Sequence, residues 1–597
     1  MGAEGESVGT GSDTQTGETQ SCPAWPEQPN ALGMGETQTL SFVDVTTEVG
    51  LTDVAYVQGD WPPGCDPDGG GVVQTPCKEL LQGGGVAAGD FDSDGWPDLY
   101  ISRIGRRGAL LHNRADGQGG RRFVEVGLEL GMGLVFDGNG AVWADLDGDG
   151  DLDLYVSAMG DPARFYLFRN RLAEDGAPGF DERAHERGLA LDDGLEHWGF
   201  SIAVGDYDRD GWLDLFTSEW RPGPAVLEQG GHARLLHNLG PADPGSFEDR
   251  TEAAGASVLA LNPAGVYAFA PAFVDLDEDG WLDLAVVADN GTSRLLWNGG
   301  AGGDGDGGDG DDGFGGFVDG TPTAGVGLER NGMGSTFGDL DGDGHLDWYV
   351  SAIFSPDDDP EVDCGNPICG AGGNRLYRSV GPRCFEEVGR DYRVHAGGWG
   401  WGVATWDPDN DGDIDLVETN GFRVPHGPPG SFFLGDPIHL WRNLSEAGGE
   451  SVFEDQAAVA GLAHVGQGRG LITLDYDRDG DEDLLVIDNG GDTRLWRNDS
   501  GAENGWLDIE VRGAPGGGNL DAIGARIELW RSPGSPRQVR VIGVGAHFLG
   551  QGEHRAHFGL GPGDAPVARV RVTWPETGLV RELEDLEPRA SIIVEAP

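Results

Sequence analysis

The sequence predicts an all-β chain: a seven-bladed β-propeller with cation-binding hairpin loops, followed by a small C-terminal β-sandwich-like domain. Three observations predict it. One acidic signature recurs seven times along the 597 residues. Short strand-like segments recur in the same order around each copy. The C-terminal stretch lacks the signature and alternates in polarity, as in VARVRVTW (567–574).

The signature is DxDxDGxxD. It supplies Asp90, Asp92, Asp94 and Asp98; Asp145, Asp147, Asp149 and Asp153; Asp206, Asp208, Asp210 and Asp214; and Asp275, Asp277, Asp279 and Asp283. Three further copies supply Asp339, Asp341, Asp343 and Asp347; Asp407, Asp409, Asp411 and Asp415; and Asp475, Asp477, Asp479 and Asp483. Successive copies lie 55, 61, 69, 64, 68 and 68 residues apart, and Gly follows the third Asp every time. A merely solvated charge run has no reason to hold that register.

Before each copy stands a run of small and apolar residues such as GVAAG (85–89) or SIAVG (201–205), and after it a β-branched or aromatic run such as LYVS or LFTS. The acidic loop is therefore the turn of a hairpin. A third segment follows (LLHN at 110–113, LWRN at 495–498), then a fourth marked by Phe123, Phe180, Phe247, Phe317, Phe385 or Phe453. Four antiparallel strands per repeat make a propeller blade, and small residues suit the innermost strand, where blades converge.

The seventh repeat has no Phe strand after LWRN, while a matching segment, SFVDVTTEVGL (41–51), stands before the first loop. Phe42 to Val49 is expected to cross over and complete that blade, which removes the open edges. The expected organisation is a disordered polar tether over 1–39, the propeller over 40–500 and the β domain over 501–597. Tail strands are expected at 505–513, 523–532, 536–543, 553–559, 567–574 and 589–595.

In each loop, positions 1, 3, 5 and 9 offer carboxylates, Gly at 6 permits the bend, and position 7 offers a backbone carbonyl, since its side chain varies (Trp96, Asp151, Trp212, Trp281, His345, Asp413, Asp481). Oxygen-only, carboxylate-rich sites on flexible loops favour Ca²⁺, up to seven ions in a structural role, and the lack of His or Cys ligands argues against zinc. An EF-hand is excluded because strand formers follow the loop; Glu418, at position 12 of the sixth copy, reads as coincidence. With calcium at about ten times its dissociation constant each site contributes ~1.4 kcal/mol, so seven contribute on the order of 10 kcal/mol.

A net charge of −64 argues against nucleic acid and anionic membranes as partners. No stretch approaches the ~20 apolar residues of a membrane span. Residues 1–20 lack the apolar core of a signal peptide and read as a flexible tether. Cys65 and Cys77 bracket one insertion, and Cys364, Cys369 and Cys384 cluster about another; with Cys22 they suit an oxidising compartment. A secreted, periplasmic or cell-surface location is expected.

These loops resemble the FG-GAP/VCBS repeats of integrin α-chain propellers. The tail motifs GWLDIEV (505–511), DAIGARIEL (521–529), GVGAHFLGQ (543–551), HFGLG (557–561) and VRVTWP (570–575) resemble the ASPIC/UnbV domain that follows such repeats in the cartilage acidic protein family and its bacterial relatives. The resemblance spans roughly 40–597; insertions at 59–80, 299–316 and 355–374 depart from it. It implies a calcium-stabilised propeller acting as a binding or adhesion module.

The expected partner is an extracellular protein or glycan. Its expected binding surface lies opposite the hairpin turns, on loops carrying Trp198, Tyr267, Trp399 and Trp401, which can stack on sugars or anchor a protein. The alternative is a carbohydrate-active lyase or hydrolase working at the axial mouth, with His197, His395 or His464 moving the proton. No GxSxG or HExxH motif supports it. His112 and His237, where other repeats have Arg or Trp, read as structural.

Overall fold

The computed structural model describes residues 23–25 and 39–597, except 53, 57–81, 161–163, 193–196, 222–232, 262–265, 301–314, 355–371, 423–432, 434, 445–451, 502–503 and 545–547. Within these residues the chain is nearly all β, with helix confined to single turns such as Leu172–Asp175.

The first four-stranded antiparallel unit pairs Val86–Gly89 with Asp98–Ile101, then Ala109–Ala115, then Arg121–Glu125. Units of the same order begin at Gly138, His197, Val266, Gly332, Gly400 and Gly468. The fourth strand begins on the expected phenylalanine in most of them, as at Phe180–Glu182 and Phe453–Asp455. In the unit that begins at Gly468 the fourth position is taken by Phe42–Asp44, antiparallel to Arg494–Asn498, with Phe42 opposite Asn498. The crossover is shorter than expected, because the chain turns after Val45 and forms no strand over 46–49.

Innermost strands touch in a closed cycle, each meeting the next and the strand from Gly468 meeting that from Val86. Small residues are required there: a Cβ on Gly140 would lie 2.2 Å from the Phe200 carbonyl oxygen, and one on Gly334 2.2 Å from that of Trp401. Second-strand serines stitch the same seam, Ser157 Oγ donating to Phe200 O at 2.6 Å and Ser351 Oγ to Trp401 O at 2.6 Å. Outside the seam, apolar faces pack unit on unit; Val142, Tyr155 and Leu167 meet Ile202, Val204 and Leu215.

The tail forms two sheets. One orders Arg555–Pro562, Asn504–Arg512 and Ala590–Glu595; the other orders Arg537–Val541, Arg526–Trp530, Val567–Thr573 and Val580–Leu586. Leu507, Ile509, Ile527, Leu529, Phe558, Val570, Val572 and Trp574 form the core between them. The strand Val580–Leu586 was not expected. Its inward residues Leu583 and Leu586 are three apart, a helix-like spacing, and the left-handed φ of Asp585 (+54°) between them breaks the two-residue alternation.

The second unexpected element is the two-residue strand Gly550–Gln551, which pairs parallel with Val86–Ala87 on the innermost strand of the first unit. The tail thus sends Phe548–Gln551 into the middle of the ring. Val86 N donates to Leu549 O (2.9 Å), Leu549 N to Ser201 Oγ (3.0 Å), and the Gln551 side chain bonds both backbone groups of Trp143.

Of the cysteines, only Cys384 lies among the described residues, and it is disulfide-bonded. Residues 23–25 fall within the expected tether yet are seated on the unit that begins at Gly332. Trp25 stacks on His345 at 4.1 Å and donates from Nε1 to Ser379 Oγ at 2.8 Å.

Candidate functional site

The seven acidic loops share one backbone conformation. Position 6 is Gly with φ between +88° and +101° in every copy. Position 4 is also left-handed in every copy, although it holds Ser93, Gly148, Arg209, Glu278, Gly342, Asn410 and Arg478, with φ between +55° and +72°. The first Asp holds this double bend: its Oδ2 accepts the position-6 N–H in all seven loops, at 2.7 Å from Gly95 to Asp90 and 3.0 Å from Gly344 to Asp339. The third Asp accepts the N–H of position 7, as Asp210 does from Trp212 at 2.8 Å.

The fourth Asp has a second task. Asp98, Asp153, Asp214, Asp283, Asp415 and Asp483 each accept the backbone N–H of an Asn in the third strand, and in the remaining unit Asp347 accepts that of Ser379. The Asn side chain then reaches the neighbouring unit's loop: Asn238 Nδ2 donates to Leu146 O at 2.9 Å and Asn498 Nδ2 to Pro408 O at 2.6 Å. The Asn in LLHN, LLWN and LWRN, first read as part of a strand, is an inter-blade latch.

After these bonds are made, Asp92 Oδ1, Asp98 Oδ2, Asp147 Oδ1, Asp339 Oδ1, Asp409 Oδ1 and Asp477 Oδ1 remain buried without a donor. Burial, reinforced by the neighbouring carboxylates, raises Asp98 to about 9, and burial with Asp521 raises Asp145 to about 8; Asp475 also rises to about 8. Buried carboxylate oxygens that lack donors and resist ionisation fit a divalent cation, which would supply the missing positive charge.

Basic side chains from the third strand also face the loops. Arg169 pairs with Asp147 and, at 2.8 Å, with Asp149; Arg442 pairs with Asp409. Two third-strand histidines, expected only to be structural, stand beside the carboxylates. His112 Nε2 lies 3.1 Å from Asp92, and His237 Nδ1 lies 3.2 Å from Asp208 and 3.3 Å from Asp214. Burial opposes charge on His237, but Asp208 and Asp214 outweigh it and raise it to about 10. Position 7 also does more than present a carbonyl in the second loop, where Asp151 groups with Asp149 and Glu174.

The loop face is not a bare rim, because the tail lies on it. Asp145 N donates to Asp521 Oδ2 (2.8 Å), Gly518 N to Gly211 O (2.8 Å) and Gly561 N to Asn410 O (2.7 Å), while Arg526 and Arg537 both donate to Gly344 O.

On the opposite face the four singled-out aromatics divide. Trp198 and Trp401 are buried, at 6 % and 0 % exposure, rather than presented to solvent. They pack with Phe200, Phe269, Met333 and the tip of the tail insertion, Phe548, whose ring is 5.2 Å from that of Trp401. Tyr267 and Trp399 stay half-buried, beside Trp220 and Phe422, which sequence reasoning passed over; Trp399 stacks on Phe422 at 4.3 Å. The axis that an enzyme would use as its mouth is filled by Phe548–Gln551. Of the histidines offered for proton transfer, His197 is fully buried against Glu219 (3.0 Å) and His464 bonds Asp488 (3.1 Å). His395 is desolvated, which lowers its pKa.

Residues 90–156 match the family described as FG-GAP-like repeat, and residues 515–597 the family described as ASPIC and UnbV. The propeller-like ring thus carries an FG-GAP-like repeat match and the tail an ASPIC and UnbV match. It is 25% identical to human cartilage acidic protein 1 over 525 residues, 83% of this chain and 69% of that protein. Identity to the Xenopus tropicalis protein of the same name is 32% over 511 residues, 82% of this chain and 61% of the other. Among solved structures, an Agrocybe aegerita lectin described for recognition of non-reducing terminal N-acetylglucosamine is 14% identical, with 70% of this chain and 92% of the lectin covered. Its TM-score is 0.37, too low for the likeness to bear on function.

The signature aspartates thus gather into seven compact clusters at one end of the ring, while the last four residues of the tail motif GVGAHFLGQ, Phe548–Gln551, form the axial insertion. The sequence offered a signal for that role: a glycine-flanked apolar tip inside an otherwise strand-rich domain. No helix among the described residues is long and apolar enough to cross a membrane.

Proposed function

We propose that this protein is an extracellular or surface-displayed, calcium-stabilised propeller that serves as a binding or adhesion module for a protein or glycan partner. The observation that carries the reading is the filled axis. With Phe548–Gln551 occupying the centre of the ring, the face opposite the acidic loops offers, among the described residues, a half-exposed aromatic surface of Trp220, Tyr267, Trp399 and Phe422. Aromatic residues on such a surface suit recognition through stacking or a buried anchor. The donor-less aspartate oxygens support calcium in the loops, where the ion would supply counter-charge and hold the double bend; its role is structural. A secreted, periplasmic or cell-surface location agrees with the disulfide at Cys384.

The test is a glycan array and an extracellular-protein array, each probed with the native chain and with Tyr267→Ala/Trp399→Ala. The expected result is at least one ligand bound by the native chain and lost by the double variant, with calcium uptake unchanged. Binding retained by that variant but lost in a folded Asp147→Asn/Asp149→Asn variant would move recognition to the loop face. Turnover of a bound glycan would favour the enzyme reading.

A further inference from the structure

The tail reads the loops through their backbones. Its contacts fall on the segments that bend around the carboxylate cluster: Gly211 and Gly344 are position 6 of their loops, Asn410 is position 4 and Asp145 is position 1. Asn504 Nδ2 also donates to Asp409 O at 2.8 Å, and Arg526 pairs with Glu278, position 4 of another loop, at 2.9 Å. The fit is close: a Cβ on Gly559 of the tail would lie 2.0 Å from Asp407 Oδ2, and one on Gly480 of the seventh loop 1.9 Å from the Trp506 ring. The loop conformation that permits this contact crowds four carboxylates, several with donor-less buried oxygens. The same docked tail positions Phe548–Gln551 in the axis.

We infer that divalent-cation occupancy of the acidic loops and docking of the ASPIC/UnbV tail are thermodynamically linked, so that ion loss releases the tail and withdraws Phe548–Gln551 from the axis. The inference rests on the calcium reading above and deepens it. The physical cause is local. Without the ion, the crowded carboxylates must either repel one another or take up protons and lose the geometry set by a shared cation, and both favour a wider loop. A wider loop moves the carbonyls of Gly211, Gly344 and Asn410, and the tail's hydrogen bonds, each dependent on distances under about 3.2 Å, are lost together. The ring keeps its own strand ladders and apolar faces, so the tail leaves before the blades melt. Linkage is reciprocal: weakening the docking contacts lowers the affinity for the ion by the factor by which ion loss weakens docking.

The experiment uses the full chain with calcium and with excess chelator. Hydrogen exchange is followed at Leu549, Gly550 and Gln551 and, as the internal reference, at Leu99–Ile101 and Leu484–Val486. Chelation is expected to accelerate exchange at 549–551 by about 100-fold or more while the ring strands stay protected. Calcium titration by calorimetry is then compared between the native chain and Arg526→Ala/Arg537→Ala, with Gln551→Ala as the milder variant if the double variant does not fold. The variant is expected to bind calcium at least about fivefold more weakly with the same number of sites. Unchanged protection at 549–551 in a chain that has released its calcium, unchanged calcium affinity in both variants, or simultaneous loss of protection in ring and tail would each overturn the linkage and leave the calcium reading standing. A native chain that takes up no calcium would overturn both.

Discussion

Asn498 shows how much one side chain does here. Its backbone N–H holds Asp483 at 2.8 Å, and its side chain donates to Pro408 O of the neighbouring unit at 2.6 Å, all in a site with no solvent exposure. Asn498→Ala removes the side-chain donor and strands a buried carbonyl, so stability should fall by about 1–3 kcal/mol in denaturant titration, against no more than ~0.5 kcal/mol for a surface Asn. Glu418 tests the opposite case, a buried acid with little use for its charge. Burial outweighs His439, Tyr349 and Asn374 and raises it to about 8. A folded state that holds this proton up to pH 8, against an unfolded value of 4.5, loses stability as pH rises from about 4.5 to about 8. Glu418→Gln should flatten that part of the stability profile, leaving a native-minus-variant difference that is constant below the window. A profile that keeps the native slope would mean that Glu418 is ionised in the fold.

Among elements, the short strand Phe42–Asp44 matters beyond its length. It completes the last unit through backbone pairing with Arg494–Asn498 and brings Leu40 and Phe42 into a core with Trp406, Leu471 and Trp496. Deleting 40–51 exposes that sheet edge and core, whereas deleting 1–20 leaves the Phe42–Asp44 pairing in place. The first truncation is expected to lower the melting temperature by roughly 5 °C or more and to promote aggregation, and the second to leave both unchanged. Equal melting of the two would refute the closure. The boundary of this contrast lies at residue 20 because Trp25 is seated on His345 and Ser379, so a longer deletion would disturb a second contact.

In the whole molecule, seven acidic clusters share one end of a ring and the tail packs against six of them, from the loop of Asp145 to that of Asp475. Removing calcium takes away the binding free energy of every loop at once, so chelation should lower the melting temperature by roughly 10 °C or more, with recovery in calcium but not in equimolar magnesium. A shift of only a degree or two in calorimetry would contradict ion-stabilised loops. The sequence alone determined the repeat, the strand order within each unit, the N-terminal crossover and the acidic loops, because each follows from residue types at fixed local spacing. The left-handed φ at position 4 was hidden, since that site holds Ser, Gly, Arg, Glu and Asn, and the loop's backbone bonds impose the conformation. Only the tertiary structure decided that Trp198 and Trp401 are buried, that His112 and His237 face carboxylates, and that Phe548–Gln551 fills the axis. Those facts depend on segments hundreds of residues apart meeting in space, and no local pattern encodes which surface a second domain will cover.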